Sequence, residues 1–183
     1  MKNHFKNIFS LLFCSFFISH FIFPVFGNQT ELKFKHISAA DGLSNSFVYC
    51  ELSDTKGFMW FGTMQGLNRF DGYNCKVYTS NTADSLSISN DIIQALFEYT
   101  EGIFLIGTNN GLNLFNAKEE KFHRYFHNPN DTGSIIGSHI FTIKRDGDND
   151  IWIGTDKGLC LCHIDLDKEH PQLTFSVPPK NQL

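Results

Sequence analysis

The sequence predicts an all-β fold: an incomplete β-propeller of about three four-stranded blades, plus an N-terminal orphan strand that would close the ring. Three observations predict it. One glycine-rich motif recurs in register three times at a blade-sized spacing. Turn glycines cut each copy into short strands, and the inner strands are apolar on consecutive residues.

The motif comes first. Gly57-Phe-Met-Trp60-Phe-Gly62-Thr63-Met-Gln-Gly66-Leu67 recurs as Gly102-Ile-Phe-Leu-Ile-Gly107-Thr108-Asn-Asn-Gly111-Leu112. It returns as Asn149-Asp-Ile-Trp152-Ile-Gly154-Thr155-Asp-Lys-Gly158-Leu159, so the Gly-Thr pairs stand 45 and then 47 residues apart. A polar step into an apolar strand precedes each copy: Asn45-Ser-Phe-Val, Asn90-Asp-Ile-Ile and Ser138-His-Ile-Phe. A further short strand follows, as in Lys76-Val77-Tyr78 and His123-Arg124-Tyr125. In the first copy the four strands fall at about 47–53, 58–63, 66–71 and 75–79. Asp54-Thr-Lys-Gly57 and Thr63-Met-Gln-Gly66 turn between them, with a closing glycine free to take the left-handed region. An apolar run such as Phe58–Phe61 suits a strand with both faces buried. Four-stranded units of this length with both faces covered are propeller blades. The predicted blades span 45–79, 90–126 and 138–177, with a tail at 178–183. No window sustains a helical period, and a sandwich would not require the recurrence.

Residues 32–45, Leu32-Lys-Phe-Lys-His through Asp41-Gly-Leu43-Ser-Asn45, resemble Cys75-Lys-Val-Tyr-Thr through Asp84-Ser-Leu86-Ser-Ile-Ser-Asn90. The segment 32–38 therefore reads as the outer strand of a closing blade whose other three strands are missing. Three blades fall short of the ~4–8 of a closed ring. The expectation is the opening part of a longer propeller, either a truncation or a gene fragment.

Ahead of it, Lys2 and Lys6 flank the start of an apolar run from Ile8 to Phe23, which ends at Pro24-Val25-Phe26-Gly27. This is the pattern of a secretory signal, with cleavage expected after about Gly27. An uncleaved anchor is the rival, weakened by His20 and Pro24; a lipoprotein would need a small residue before Cys14, where Phe13 stands. The remaining chain carries 13 basic and 19 acidic residues. That acidic balance gives no footprint for nucleic acid. Of the 20 Phe in 183 residues, those outside the leader are mostly blade filling.

Asp41-Gly-Leu-Ser-Asn45, Asp54-Thr-Lys-Gly-Phe-Met-Trp-Phe-Gly-Thr-Met-Gln-Gly-Leu-Asn-Arg-Phe-Asp71 and Asp84-Ser-Leu-Ser-Ile-Ser-Asn90 resemble two-component regulator propeller repeats, over essentially all of 32–177. The resemblance implies the N-terminal periplasmic sensor region of a Bacteroides-type hybrid histidine kinase. In such a receptor a β-sandwich, a membrane helix, a kinase, a receiver and often a DNA-binding part would follow. It implies a small-molecule or oligosaccharide ligand, glycan-linked transcription control, homodimerisation, and contact with the membrane only through a missing C-terminal helix. The departures are Leu105 in the slot of Trp60 and Trp152, Tyr99 in that of Asp54 and Asp146, and Asn149 in that of Gly57.

Catalytic, cofactor and metal sites are not expected, and the ligand-binding residues are unknown. Asp146-Gly-Asp148-Asn-Asp150 has the first three acids of a calcium loop, but Ile151 and Lys157 stand where glycine and an acid are required. It reads as a hairpin turn. Cys160-Leu-Cys162-His163 lacks the second pair of a zinc site. Cys50, Cys75 and Cys162 fall in slots held elsewhere by Ala95 and Thr142, Phe122, and Phe70 and Phe115. They read as packing residues, with a Cys50–Cys75 bridge left open. Trp60 and Trp152 could stack on sugar, but their shared slot favours blade core. Asn28 and Asn130 head glycosylation sequons that carry little weight in a bacterial chain. The reading is a ligand-sensing module without enzyme activity. A propeller enzyme, such as a lyase, would need a central His/Glu/Lys set that is not evident, and a secreted interaction scaffold is the third reading.

Overall fold

A computed structural model describes residues 31–146, 150–166 and 172–178. The chain separates into two units, residues 1–35 and 36–183. Of the first, residues 31–35 are described; they carry no regular structure, and Leu32 and Phe34 are 81% and 92% exposed. The expected leader lies outside the described residues. The expected outer strand over 32–38 is not assigned as a strand. An outer strand takes its backbone partners from the strand inside it.

The second unit opens with a 3₁₀ turn, Ala39–Asp41. It is capped by Ser38, whose hydroxyl accepts from Ala40 N while Asp41 accepts from Ser38 N. Three antiparallel sheets follow. The first holds β1 (Val48–Ser53), β2 (Met59–Thr63), β3 (Gly66–Phe70) and β4 (Cys75–Tyr78). The second holds β5 (Ile93–Thr100), β6 (Ile103–Thr108), β7 (Gly111–Asn116) and β8 (Lys121–Tyr125). The third holds β9 (Ile140–Asp146), β10 (Asp150–Thr155), β11 (Gly158–Asp165) and β12 (Gln172–Ser176). Each sheet is a meander of neighbours in chain order, as a blade requires, and the ring they begin is open.

Register makes the copies comparable residue by residue. Val48, Ile93 and Ile140 face Thr63, Thr108 and Thr155 across the first hairpin of each blade. One correction follows. The step into the third blade aligns from Gly137, not from Ser138, because Ile140 rather than Phe141 holds the slot of Val48 and Ile93. Gly66 and Gly111 close the second hairpins at φ +117° and +99°. A Cβ there would lie 2.7 Å from the carbonyl oxygens of Tyr78 and Tyr125, so both the backbone angle and the close strand demand glycine.

Strand alternation sends neighbouring side chains to opposite sheet faces. We call front the face turned to the following blade and rear the face turned to the preceding one. Trp60 and Leu67 on the front of blade 1 join Ile93, Phe104, Ile106, Phe115 and Phe122 on the rear of blade 2 in one buried cluster. Leu105, Leu112 and Leu114 on the front of blade 2 join Ile140, Ile143, Ile151, Ile153, Cys162 and Phe175 on the rear of blade 3 in another. Blade 2 is thus covered on both faces, which is why β6 is apolar at every position from Ile103 to Ile106.

Candidate functional site

The repeat motif builds the seams between blades. Gly62 and Gly107 leave notches that the next blade fills. A Cβ on Gly62 would stand 2.8 Å from Ile93 Cγ2, and one on Gly107 2.6 Å from Ile140 Cγ2. The threonine beside each glycine locks the following turn. Thr63 Oγ1 donates to Gly66 O at 2.9 Å and accepts from Gln65 N at 3.1 Å. Thr108 does the same with Gly111 O and Asn110 N, and Thr155 with Gly158 O and Lys157 N. Leu67 and Leu112 are fully buried in the two seams, whereas Leu159 is 40% exposed.

Two further pairings recur where the sequence reading singled out no residue. In blade 1 Asn68 Oδ1 accepts from Ser44 N at 2.8 Å, and its amide donates back to Ser44 Oγ at 2.8 Å. Asn113 and Ser89 repeat this bracket at 2.9 Å for both bonds. In blade 3 both partners change together, to Cys160 and Ile136. Replacing both halves of a buried polar pair avoids stranding either one. The legible signal is the Asn after Gly-Leu in the first two motifs and Cys in the third.

The second pairing ties the tryptophan slot to its turn. Asp54 Oδ1 accepts from Lys56 N and Phe58 N at 3.0 and 2.8 Å, and its Oδ2 accepts from Trp60 Nε1 at 2.8 Å. Trp152 Nε1 likewise donates to Asp146 Oδ2 at 3.0 Å. Blade 2 carries Leu105, which has no N–H to satisfy, and Tyr99 replaces the aspartate. The Tyr99 ring instead holds the Arg145 guanidinium of blade 3 at 4.8 Å, with Phe97 at 5.5 Å, and Arg145 donates to Tyr99 O.

Polar contacts stitch the rims. Thr55 N and Oγ1 both donate to the Glu98 carboxylate at 2.9 Å. Lys76 meets Glu120 at 2.5 Å, and the bond holds that carboxyl below its usual range. Arg124 clasps the loop between β4 and β5, donating to Ser87 O at 2.6 Å and Asp84 O at 2.5 Å.

The four described cysteines are free, and Cys50 and Cys75 form no bridge. Cys75 lies opposite Phe70 and Cys162 opposite Phe175, in the position where Phe115 stacks on Phe122 at 4.3 Å. Burial pushes the Cys50 and Cys162 thiols up to about 12 and Cys160 up to about 11. Among the described residues no group of three or more His, Cys, Asp or Glu could hold a metal ion. Residues 147–149 of the calcium-like stretch lie outside them. Trp60 is 1% exposed and leaves no face for a sugar. Trp152 is half-buried over the open front of blade 3. There a concavity of about 440 Å³ is lined by Thr142, Lys144, Arg145, Asp146, Trp152, Gly154 and Leu159.

Four-stranded meanders, joined front to rear by a glycine notch, define consecutive blades of a β-propeller. The family model "Two component regulator propeller" matches residues 42–65 and 134–157. The chain therefore carries two-component regulator propeller repeats. It is 44% identical over 61 residues to Histidine kinase P4 of Formosa agariphila, across 33% of this chain and 4% of that protein. It overlays the extracellular domain of BT3049 from B. thetaiotaomicron, assigned as a hybrid two component system, with a TM-score of 0.68 and 27% identity. That overlay covers 80% of this chain and 20% of the other. The chain thus spans a small part of each relative's length.

Proposed function

We propose that the chain is part of the periplasmic ligand-sensing propeller of a hybrid sensor histidine kinase. The observation that carries this reading is its similarity, over 80% of its length, to the extracellular domain of a hybrid two component system. The seams recur as glycine notches, turn threonines and buried apolar side chains, a packing scaffold that would hold ligand-binding loops in place. In this reading the signal at 1–27 exports the chain, and segment 32–38 completes the last blade of a longer ring. An oligosaccharide or other small molecule would bias one of two arrangements of a receptor dimer, by binding one of them more tightly. Kinase chemistry would belong to a C-terminal part.

The test is the genomic reading frame beyond codon 183. A frame running through more blades to a membrane helix and a kinase supports the sensor. A stop followed by no such sequence contradicts it. Glycan sensing is tested separately by calorimetric titration of the complete exported region with defined oligosaccharides. Saturable binding of one supports that specificity, and binding of none across neutral and acidic sets contradicts it.

A further inference from the structure

Each blade carries the same irregularity at the inner edge of its sheet. β1, β5 and β9 are edge strands, and they come closer to one another than the fourth strands do, so this edge is turned to the axis of the ring. Opposite every Gly-Thr pair the edge strand holds one residue more than its partner. The extra residue is Tyr49 between Val48 and Cys50, Gln94 between Ile93 and Ala95, and Phe141 between Ile140 and Thr142. A bulge of this kind re-aims a side chain. In blade 2 Ile93 goes into the first seam and Ala95 into the second, and Gln94 enters neither. Blade 2 has a neighbour on both sides, yet Gln94 stays half-buried where Ile93 and Ala95 are 0% and 6% exposed. The slot therefore stays open in a completed ring, because a further blade lies beside the sheet and not across its inner edge.

We propose that the three bulged residues belong to an axial binding site for a neutral oligosaccharide. Tyr49 and Phe141, 46% and 51% exposed, offer ring faces on which the C–H face of a pyranose can stack. On the blade between them Gln94 donates to Asn109 Oδ1 at 2.8 Å, and this amide pair has donors and acceptors for sugar hydroxyls. Phe47, Ile92 and His139 hold the slot two residues earlier, and the His139 ring meets that of Phe141 at 6.4 Å. Neither slot carries a carboxylate, an ammonium or a guanidinium in any of the three blades. Aromatic walls with a few polar groups suit an uncharged ligand that presents both apolar and hydroxyl surface. The site deepens the ligand-sensing reading, on which it rests, by giving the ligand a place and a class.

The test is calorimetric titration of the complete exported region with neutral hexasaccharides of glucose, mannose and xylose, and with an acidic set of galacturonate and glucuronate oligosaccharides. A neutral probe should bind, and Tyr49→Ala or Phe141→Ala should weaken it at least ~10-fold. Gln94→Ala should weaken it ~3–10-fold through lost hydrogen bonds. Tyr49→Phe keeps the ring and should stay within ~3-fold of the unchanged protein. Lys118→Ala, in the turn between β7 and β8, should leave binding as it was. A neutral probe that binds but ignores the Tyr49, Gln94 and Phe141 substitutions overturns the axial site and leaves glycan sensing standing. So does a loss as large with Tyr49→Phe as with Tyr49→Ala, which would be structural and not stacking. Binding of acidic probes alone also overturns the proposal while sensing stands, and binding of neither set overturns both.

Discussion

The two seams use one geometry and two chemistries. Between blades 1 and 2 the filling is aromatic. Trp60 lies 4.9 Å from Phe104 and 5.7 Å from Phe115, with Tyr78 stacked at 6.1 Å. Between blades 2 and 3 it is mostly aliphatic, with Phe175 among the buried residues: Leu105, Leu112, Ile140, Ile151 and Ile153 are all at most 1% exposed. The backbone features stay fixed across this change. Each seam keeps its glycine notch, its β-branched filler and its threonine turn. Side chains that need polar partners change in sets, Trp with Asp and Asn with Ser. A blade interface therefore specifies main-chain approach narrowly and side-chain filling loosely, as expected where hydrophobic volume is conserved and shape is not.

The largest effects should come from emptying the equivalent slots. Trp60→Ala should cost ~3–5 kcal/mol and Leu105→Ala ~2–5 kcal/mol in chemical denaturation. Near-zero losses at both would mean that the seams do not hold the blades together. Closing a notch comes next. Gly107→Ala forces a Cβ against Ile140 and should cost ~1–3 kcal/mol. Trimming the filler with Ile140→Ala in the same chain should recover part of that loss, a coupling of ~0.5–3 kcal/mol; strict additivity would refute the notch.

Asp54→Ala should cost ~1–3 kcal/mol by leaving the buried Trp60 N–H and the turn amides unpaired, with a shift in indole fluorescence. Tyr99→Asp should lose only the Arg145 stack, ~0.5–1 kcal/mol, because Leu105 offers nothing to an aspartate. A separate expectation concerns pH dependence and is confined to the alkaline side. The buried thiols ionise later folded, at about 11 to 12, than unfolded, near the ordinary 9.0. Their stabilisation is fully present below pH 9 and is lost as pH rises from there through the folded values. Alkylation of the native protein should accordingly stay slow at pH 9, while the unfolded chain reacts; equal rates would contradict the burial.

The fold class was legible because its markers are backbone requirements. A positive φ at Gly66 and Gly111, and a notch at Gly62 and Gly107, admit almost no other residue, so the repeat is visible in the letters. The apolar runs announced two covered faces for the same reason. What escaped was pairwise. Ser44 and Asn68 are 24 positions apart, and Ser89 and Asn113 repeat that separation. Such pairs emerge only once register fixes which slots face each other. The Ser138 step was misplaced by one residue although the loops into blades 2 and 3, residues 79–92 and 126–139, match in length, because the alternating Ser-His-Ile-Phe letters fit either register and only the pairing of Ile140 with Thr155 decides it. Segment 32–38 resembles β4 in sequence, yet a strand exists only with a partner, and sequence pattern does not supply one.

Amide hydrogen exchange, resolved strand by strand in dilute solution, tests the blade account most directly. Among the described residues blade 2 alone is covered front and rear, so β6 and β7 should exchange slowest, with β2 and β3 of blade 1 and β10 and β11 of blade 3 measurably faster. Uniform protection across all three blades at the lowest concentration, or slowest exchange in blade 1 or blade 3, would contradict it.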